Sequence, residues 1–379
     1  GTSAEKVEGL EHIWGRTDLI PLWVADMDFA TAPFVTDAIR KRCENEVLGY
    51  TGKPDSYYNA IINWVKQRYD LIVTKEVINF VPGIVPGIGM AMNCFTQKGD
   101  KVMIQPPVYH PFAWVATRNE RTLVINPLKW ENGMYRMDLD AFREQIKGCK
   151  LFILCNPHNP GGVVWTEAEL RAIADICYDE KVLVFSDEIH ADLTLPPHTH
   201  RPFATVSEKA RMNSVTFMSP SKAFNMPGLS ASHALIFNED LRKRFRIYMD
   251  AGELDMGHVF AFLSVEAAYS HGTEWLDQCL AYIQGNIDFV DEFLKKHAPK
   301  IKAIRPEASY LVWLDCRELK LSQKDLNEFF VDKAHLALND GEMFGKEGIG
   351  FMRLNVASPR CIIEKAMKQL ADAYQLYIK

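Results

Sequence analysis

Between about residues 55 and 290 the chain alternates short, unbroken apolar runs with helical patterns, and this restricts its fold more than anything else. KLFILCN (150–156), VLVFSDE (182–188), SVTFM (214–218) and SHALIF (232–237) are apolar at nearly every position rather than at every second one. A strand tolerates that only when both of its faces are covered, as in a largely parallel sheet with helices on either side. KVMIQ (101–105) and RTLVINPL (121–128) read as further strands, with helices at 55–69, from Pro111, over MDLDAFREQI and over TEAELRAIADICYDE. Thr166 and Glu169 open the last of these as a capping box. NFVPGIVPGIGMAMNCF (79–95) reads as a strand, a tight loop and a helix.

The C-terminal pattern differs. A long helix at about 273–297 leads to a strand near 309–315, a helix at 322–335, a strand at 351–356 and a final helix from about 360. At 379 residues the chain accommodates a large domain, expected over 31–287, and a small α+β domain built from 1–30 and 288–379. Residues 1–30 are expected to pack with the small domain or near the site.

Several classes of function are disfavoured. A net charge of −6 leaves no basic footprint, so neither nucleic acid nor an anionic membrane is an expected partner. The apolar stretch Val77–Phe95 approaches bilayer length, but Pro82, Gly83, Pro86, Gly87 and Gly89 interrupt it and Asn79 and Asn93 lie within it. The eight cysteines are scattered without a CxxC pair, no signal-peptide pattern is visible, and the expected compartment is the reducing cytoplasm. No metal site is expected.

In a parallel α/β sheet, ligands gather at the carboxyl ends of the strands. The polar residues closing each apolar run are therefore the candidates: VPGIVPG, CNPHNPGG, SDEIHAD and SPSK. Asp187 or Glu188 can hold a metal, act as a base, face a cationic ring nitrogen, or cap a helix. His190 is by itself as compatible with a structural role. CNPHNPGG is a turn, in which Asn159 can also donate to an anionic ligand oxygen. VPGIVPGIG offers backbone N–H groups at a helix start, a cradle for phosphate, although it is neither GxGxxG nor a Walker loop. Tyr109 in PPVYHP is a core aromatic or a stacking platform. In GFMRLNV, alternation places Phe351, Arg353 and Asn355 on one face, and a guanidinium so placed suits a carboxylate, whether structural or substrate. Ser219-x-x-Lys222 matches an acyl-transfer motif, but its companion strings SDN and KTG are absent.

Together these loops resemble the fold-type-I pyridoxal-phosphate (PLP) enzymes of the aminotransferase class I/II superfamily. NPHNPGG, SDEIH and SPSKAFN occur in the family's order and rough spacing. WVADMDFATAP (23–33), GYTGKP (49–54), DEIHADL, SKAFNMPGL and GFMRLNVASPR are similar to the MalY/PatB group of cystathionine β-lyases, or C–S lyases, from about residue 20 onward. The resemblance implies a large PLP-binding domain with a mostly parallel sheet, plus a small C-terminal domain. It implies that Lys222 joins pyridoxal 5′-phosphate covalently and shuttles the Cα proton, and that Asp187 pairs with the ring nitrogen. Tyr109 would stack on the ring, and Asn159 and His190 would hold its 3′-oxygen side. The backbone of Gly83, Ile84 and Val85, with Ser219 and Ser221, would bind the phosphate. Tyr50 would reach the neighbouring subunit's phosphate, implying a homodimer. Arg353, with Asn159 and Trp23, would bind the amino-acid substrate. Many aminotransferases carry an arginine eight residues after the lysine; here Ser230 stands there, as expected of the MalY/PatB pattern.

Two fates compete after Cα deprotonation, and the core motifs serve both. The subgroup motifs favour α,β-elimination on cystathionine or a related cysteine S-conjugate, giving a thiol, pyruvate and ammonia. The alternatives are amino transfer to a 2-oxo acid, and a regulatory protein on the same fold. Trp23, Asp26 and the segment 339–347 are the expected wall of the side-chain pocket.

Overall fold

The structure is a computed structural model and describes residues 2–377. Gly1 and residues 378–379, the outer ends of the expected small domain, lie outside the described residues. Seven strands form the main sheet: β1 (Ile78–Val81), β2 (Lys101–Ile104), β3 (Thr122–Ile125), β4 (Cys149–Cys155), β5 (Leu183–Asp187), β6 (Ser214–Met218) and β7 (Ser232–Leu235). Their order is β1-β7-β6-β5-β4-β2-β3, with β7 antiparallel to both neighbours and the other pairs parallel.

The unbroken apolar runs are explained by what covers them. Alternate residues of β4 serve two cores: Phe152 and Leu154 on one face, Leu151 and Ile153 on the other. Burying a side chain of this size contributes about 1.5–3 kcal/mol, so both faces contribute to the sheet's stability. Helix α1 (Glu5–Trp14) lies near the N-terminus, and α2 (Ile84–Phe95) follows β1. The approach of α2 to the sheet requires Gly87, since a Cβ there would sit 3.0 Å from Val81 Cγ2 and 3.2 Å from Phe217. Helix α3 (Glu167–Asp179) begins at the expected capping box, with both Thr166 and Glu169 contacts formed.

Helix α4 (Thr273–His297) runs without a break into the C-terminal part. There β8 (Lys302–Ile304), β9 (Leu311–Asp315), β10 (Asn339–Asp340) and β11 (Phe351–Asn355) form an antiparallel sheet in the order β8-β9-β11-β10. The helix expected at 322–335 is α-helical only over Gln323–Glu328. It then widens to a π turn over Phe329–Lys333, which turns the adjacent Phe329 and Phe330 both inward. The N-terminal segment joins this part: Ile20–Pro21 pairs parallel with Leu336–Ala337, and Asn355 N donates to Leu22 O at 3.0 Å.

Because β7 runs against its neighbours, its first residues lie at the same edge as the carboxyl ends of β1, β4, β5 and β6. The four polar loops meet there.

Candidate active site

A cleft of about 820 Å³, its mouth included, opens at that edge. Gly83, Ile84, Val85, Tyr109, Asn159, Asp187, His190, Ser221 and Lys222 line it together with Ala25 and Ser230–Ser232. The residues expected to hold cofactor and substrate therefore converge, with four exceptions; of the expected side-chain wall, Asp26 and 339–347 do not line this cleft either, and Trp23, Asn339, Asp340 and Met343 line a separate depression. Ser219 lies off the cleft wall: its hydroxyl donates to Ala231 O at 2.8 Å and accepts from Ser221 N at 3.1 Å, pinning the loop that carries Lys222. Arg353 stands behind Asn159, its Nη1 donating to Asn159 Oδ1 at 3.1 Å. Trp23 contributes its carbonyl, which accepts from Arg353 Nη2 at 3.1 Å, while its indole N–H donates to Lys6 O on α1. Tyr50 is 98% exposed and does not line the cleft of its own chain.

Each wall has a local cause. The first turn of α2 has no side-chain cap, and its N-cap Gly83 lines the cleft with Ile84 and Val85, where an anion is favoured by the helix dipole and the unpaired N–H groups of a helix start. Asp187 closes β5 and is 4% exposed. Burial pushes its carboxyl up to about 7, against the Ile189 N–H that donates to Oδ1 at 3.1 Å. Glu188, next to it, is tied away from the cleft by Ser186, His200 Nε2 and Phe203 N at 2.7–2.8 Å.

Lys222 donates from Nζ to Ala25 O at 2.6 Å. Burial first, then the Arg353 charge, brings its amine down to about 8, while Asp26 and Asp187 pull the other way. His190 is buried with Nδ1 unpartnered, and burial, with Lys222 and Arg353, lowers it to about 3, so it is neutral. Arg353 is 4% exposed, lies 4.9 Å from the Phe344 ring centroid and, among the described residues, bonds only neutral acceptors, Asn159, Asn339 and Trp23 O, with Nε unpartnered. A buried guanidinium without a counter-anion is costly unless a ligand supplies one.

Sequence reasoning missed the scaffold beneath these groups. The carbonyls of residues 23–26 accept from Arg353, Asn355, Lys222 and Tyr310, with Tyr310 OH at 2.9 Å from Ala25 O and Asn355 Nδ2 at 2.6 Å from both Val24 O and Asp26 O. Asn225 fastens the same segment through Met27 N, Met27 O and Phe29 O. Asn225 was visible only as part of SKAFN, and Tyr310 carried no motif at all.

The set fits pyridoxal phosphate. It combines an uncapped helix start for an anion, a buried carboxyl short of a cation, a depressed amine and an aromatic wall. Among the described residues no group of three His, Cys, Asp or Glu is arranged to hold a metal, and no helix is long and apolar enough to cross a membrane.

The family model described as aminotransferase class I and II matches residues 17–370. Cystathionine beta-lyase PatB of Bacillus subtilis (strain 168) is 37% identical over 375 residues, 98% of this chain and 97% of the relative. The crystal structure of cystalysin from Treponema denticola, which contains a pyridoxal 5′-phosphate cofactor, superposes with a TM-score of 0.96 at 33% identity, covering 100% of this chain and 96% of that one. The PLP-bound C–S lyase from Staphylococcus hominis gives a TM-score of 0.91 at 35% identity, covering 98% and 95%.

Proposed function

The chain belongs to the aminotransferase class I and II family, and from that premise we propose that it is a PLP-dependent C–S lyase acting on L-cystathionine or a related cysteine S-conjugate. The observation that carries the reading is near full-length similarity to a cystathionine β-lyase, supported by the convergence of Lys222, Asp187, Asn159 and Tyr109 on one cleft. The net reaction converts the conjugate and one water into a thiol, pyruvate and ammonium.

When bound, pyridoxal phosphate supplies an electron sink for the negative charge left at the substrate α-carbon. Lys222, Asp187, Tyr109, Asn159, His190, Ser221 and the Gly83–Val85 backbone would hold it, with Ser219 fixing the loop. Arg353 receives the substrate α-carboxylate as the counter-anion it lacks, and Asn159, whose carbonyl is engaged by Arg353, keeps its amide N–H groups for the cleft. Lys222 Nζ, neutral in an appreciable fraction near its depressed pKa, takes the α-proton. Asp187 brings a buried carboxyl to the cleft wall, where a cationic ring nitrogen would relieve the cost of its ionisation. His190, neutral, offers a hydrogen bond without adding charge.

We divide the chain functionally into a large part, 31–287, and a small part, 1–30 with 288–379, the second carrying Trp23 and Arg353. The active unit is a homodimer. Tyr50, flanked by the exposed Val47 and Leu48, sits on a surface that calls for cover and would complete the partner's phosphate site. Eight unpaired thiols support a reducing, cytoplasmic setting.

Incubation of the purified protein with L-cystathionine tests the reading. Pyruvate released without any 2-oxo acid supports it; product formed only when 2-oxoglutarate is added would establish amino transfer instead.

A further inference from the structure

Lys6 lies on α1, outside every motif above, yet it is 4% exposed. An ammonium is rarely so buried unless paired. Its Nζ donates to Asp28 Oδ1 at 2.8 Å and stands 3.4 Å from Asp26 Oδ1. The two carboxylates are not equivalent. Asp28 has a second tie, its Oδ2 accepting from Ser358 Oγ at 2.7 Å. Asp26 Oδ1 is buried and makes no hydrogen bond among the described residues. Asp26 also follows directly the residue whose carbonyl holds the Lys222 amine. The helix is seated so that this cannot drift: Trp23 Nε1 donates to Lys6 O at 3.0 Å, and a Cβ on Gly9 would meet the Trp23 ring at 3.2 Å.

The charged and titratable groups around Lys222 are Arg353, Asp26 and Asp187, with His190 and Tyr310 beside them. Those around Asp26 are Lys6, Asp28, Lys222 and Tyr310. Asp26 thus has two ammonium groups to choose between. If it closed on Lys222, that nitrogen would be held as a cation and lost as nucleophile and base. We propose that Lys6 is a positioning residue: by engaging Asp26 and Asp28 it draws the Asp26 carboxylate toward α1 and leaves the Lys222 amine free to react.

The inference rests on Lys222 as the reacting amine, not on which bond is broken afterwards. It is tested on the full chain stripped of cofactor, by reductive methylation with formaldehyde and cyanoborohydride across pH, following the Lys222 peptide by mass spectrometry. Only the neutral amine condenses with the aldehyde, so the parent profile is expected to rise through about pH 8. Lys6→Met should move that profile up by about one pH unit and slow labelling at pH 7.5 by roughly 5- to 10-fold, the scale of one released neighbouring charge. Lys6→Arg should behave as the parent, and Lys6→Met with Asp26→Asn should recover the parent rate. Helix undocking alone would not be cured by removing Asp26. An unshifted Lys6→Met profile, or a double variant as slow as the single one, overturns the proposal. Should Lys6→Met fail to fold, Asp26→Asn alone decides: labelling at pH 7.5 faster than the parent is expected, and slower labelling overturns it. A failed lyase assay would leave this result standing, and the converse also holds.

Discussion

Replacing Asp187 by asparagine should make the stability of the cofactor-free protein less dependent on pH between mildly acidic and neutral conditions while disabling it as an enzyme. The carboxyl has an ordinary value near 3.8 and is raised to about 7 in the folded chain. Between those values the folded state binds a proton that the unfolded state has released. Stability from this group therefore falls as pH rises through the window and levels off above it. Each pH unit of that difference is worth about 1.36 kcal/mol, so from pH 5 to pH 8.5 the parent should lose about 3 kcal/mol that Asp187→Asn keeps. The new amide adds its own burial cost of about 1–3 kcal/mol at every pH, so the readout is the difference between the two pH values rather than either alone. Urea unfolding of both stripped proteins at pH 5 and 8.5 measures it. Restoring cofactor to the parent should abolish most of its loss, because a cation beside the carboxylate brings its pKa back down. Equal pH dependence in parent and variant would refute the claim that Asp187 is a buried acid waiting for a cation.

Three further outcomes follow from the geometry. Arg353→Lys loses the planar fork and should raise KM for the amino-acid substrate by about 10- to 100-fold, the worth of a charge-assisted hydrogen bond, with a smaller effect on kcat; steady-state kinetics with an unchanged KM would exclude Arg353 as the carboxylate site. Tyr50→Phe should weaken cofactor binding by roughly tenfold, for the loss of about 1.4 kcal/mol, while the dimer persists in sedimentation; unaltered cofactor release would remove Tyr50 from the partner's site. Thr166→Ala breaks the capping box of α3 and should cost about 1 kcal/mol in urea unfolding, with activity retained at low denaturant.

How far the sequence could be read depended on where the determining contacts lie. Local signals were legible: the helices at 55–69 and 273–297 have the bounds their periodicity indicates, and Arg353 and Asn355 share the face that alternation predicts. The helix Val259–His271 left no stripe to follow, because neighbours cover it on several sides, burying residues as close in sequence as Ala261, Phe262, Ser264 and Val265. The reversal of β7 was hidden because an apolar run does not encode its direction; the Ser219–Ala231 bond that shortens the connection is a tertiary fact. Phosphate contact was expected of both serines in SPSK, yet the same hydroxyl chemistry lets Ser219 bind its own loop instead of facing the cleft. Lys6, Tyr310 and Asn225 were illegible because their partners are distant in sequence, from 22 residues for Lys6–Asp28 to 285 for Tyr310–Ala25.

The carbonyls of residues 23–26 have a practical consequence for anyone who mutates this protein. Alanine scanning leaves a peptide oxygen where it was, so a survey of side chains could score Val24 and Ala25 as dispensable while their carbonyls hold the Asn355 amide and the reactive amine in place. Their contribution would emerge only from chemistry on the main chain itself, such as an ester in place of an amide, which weakens the oxygen as an acceptor without altering any residue's shape.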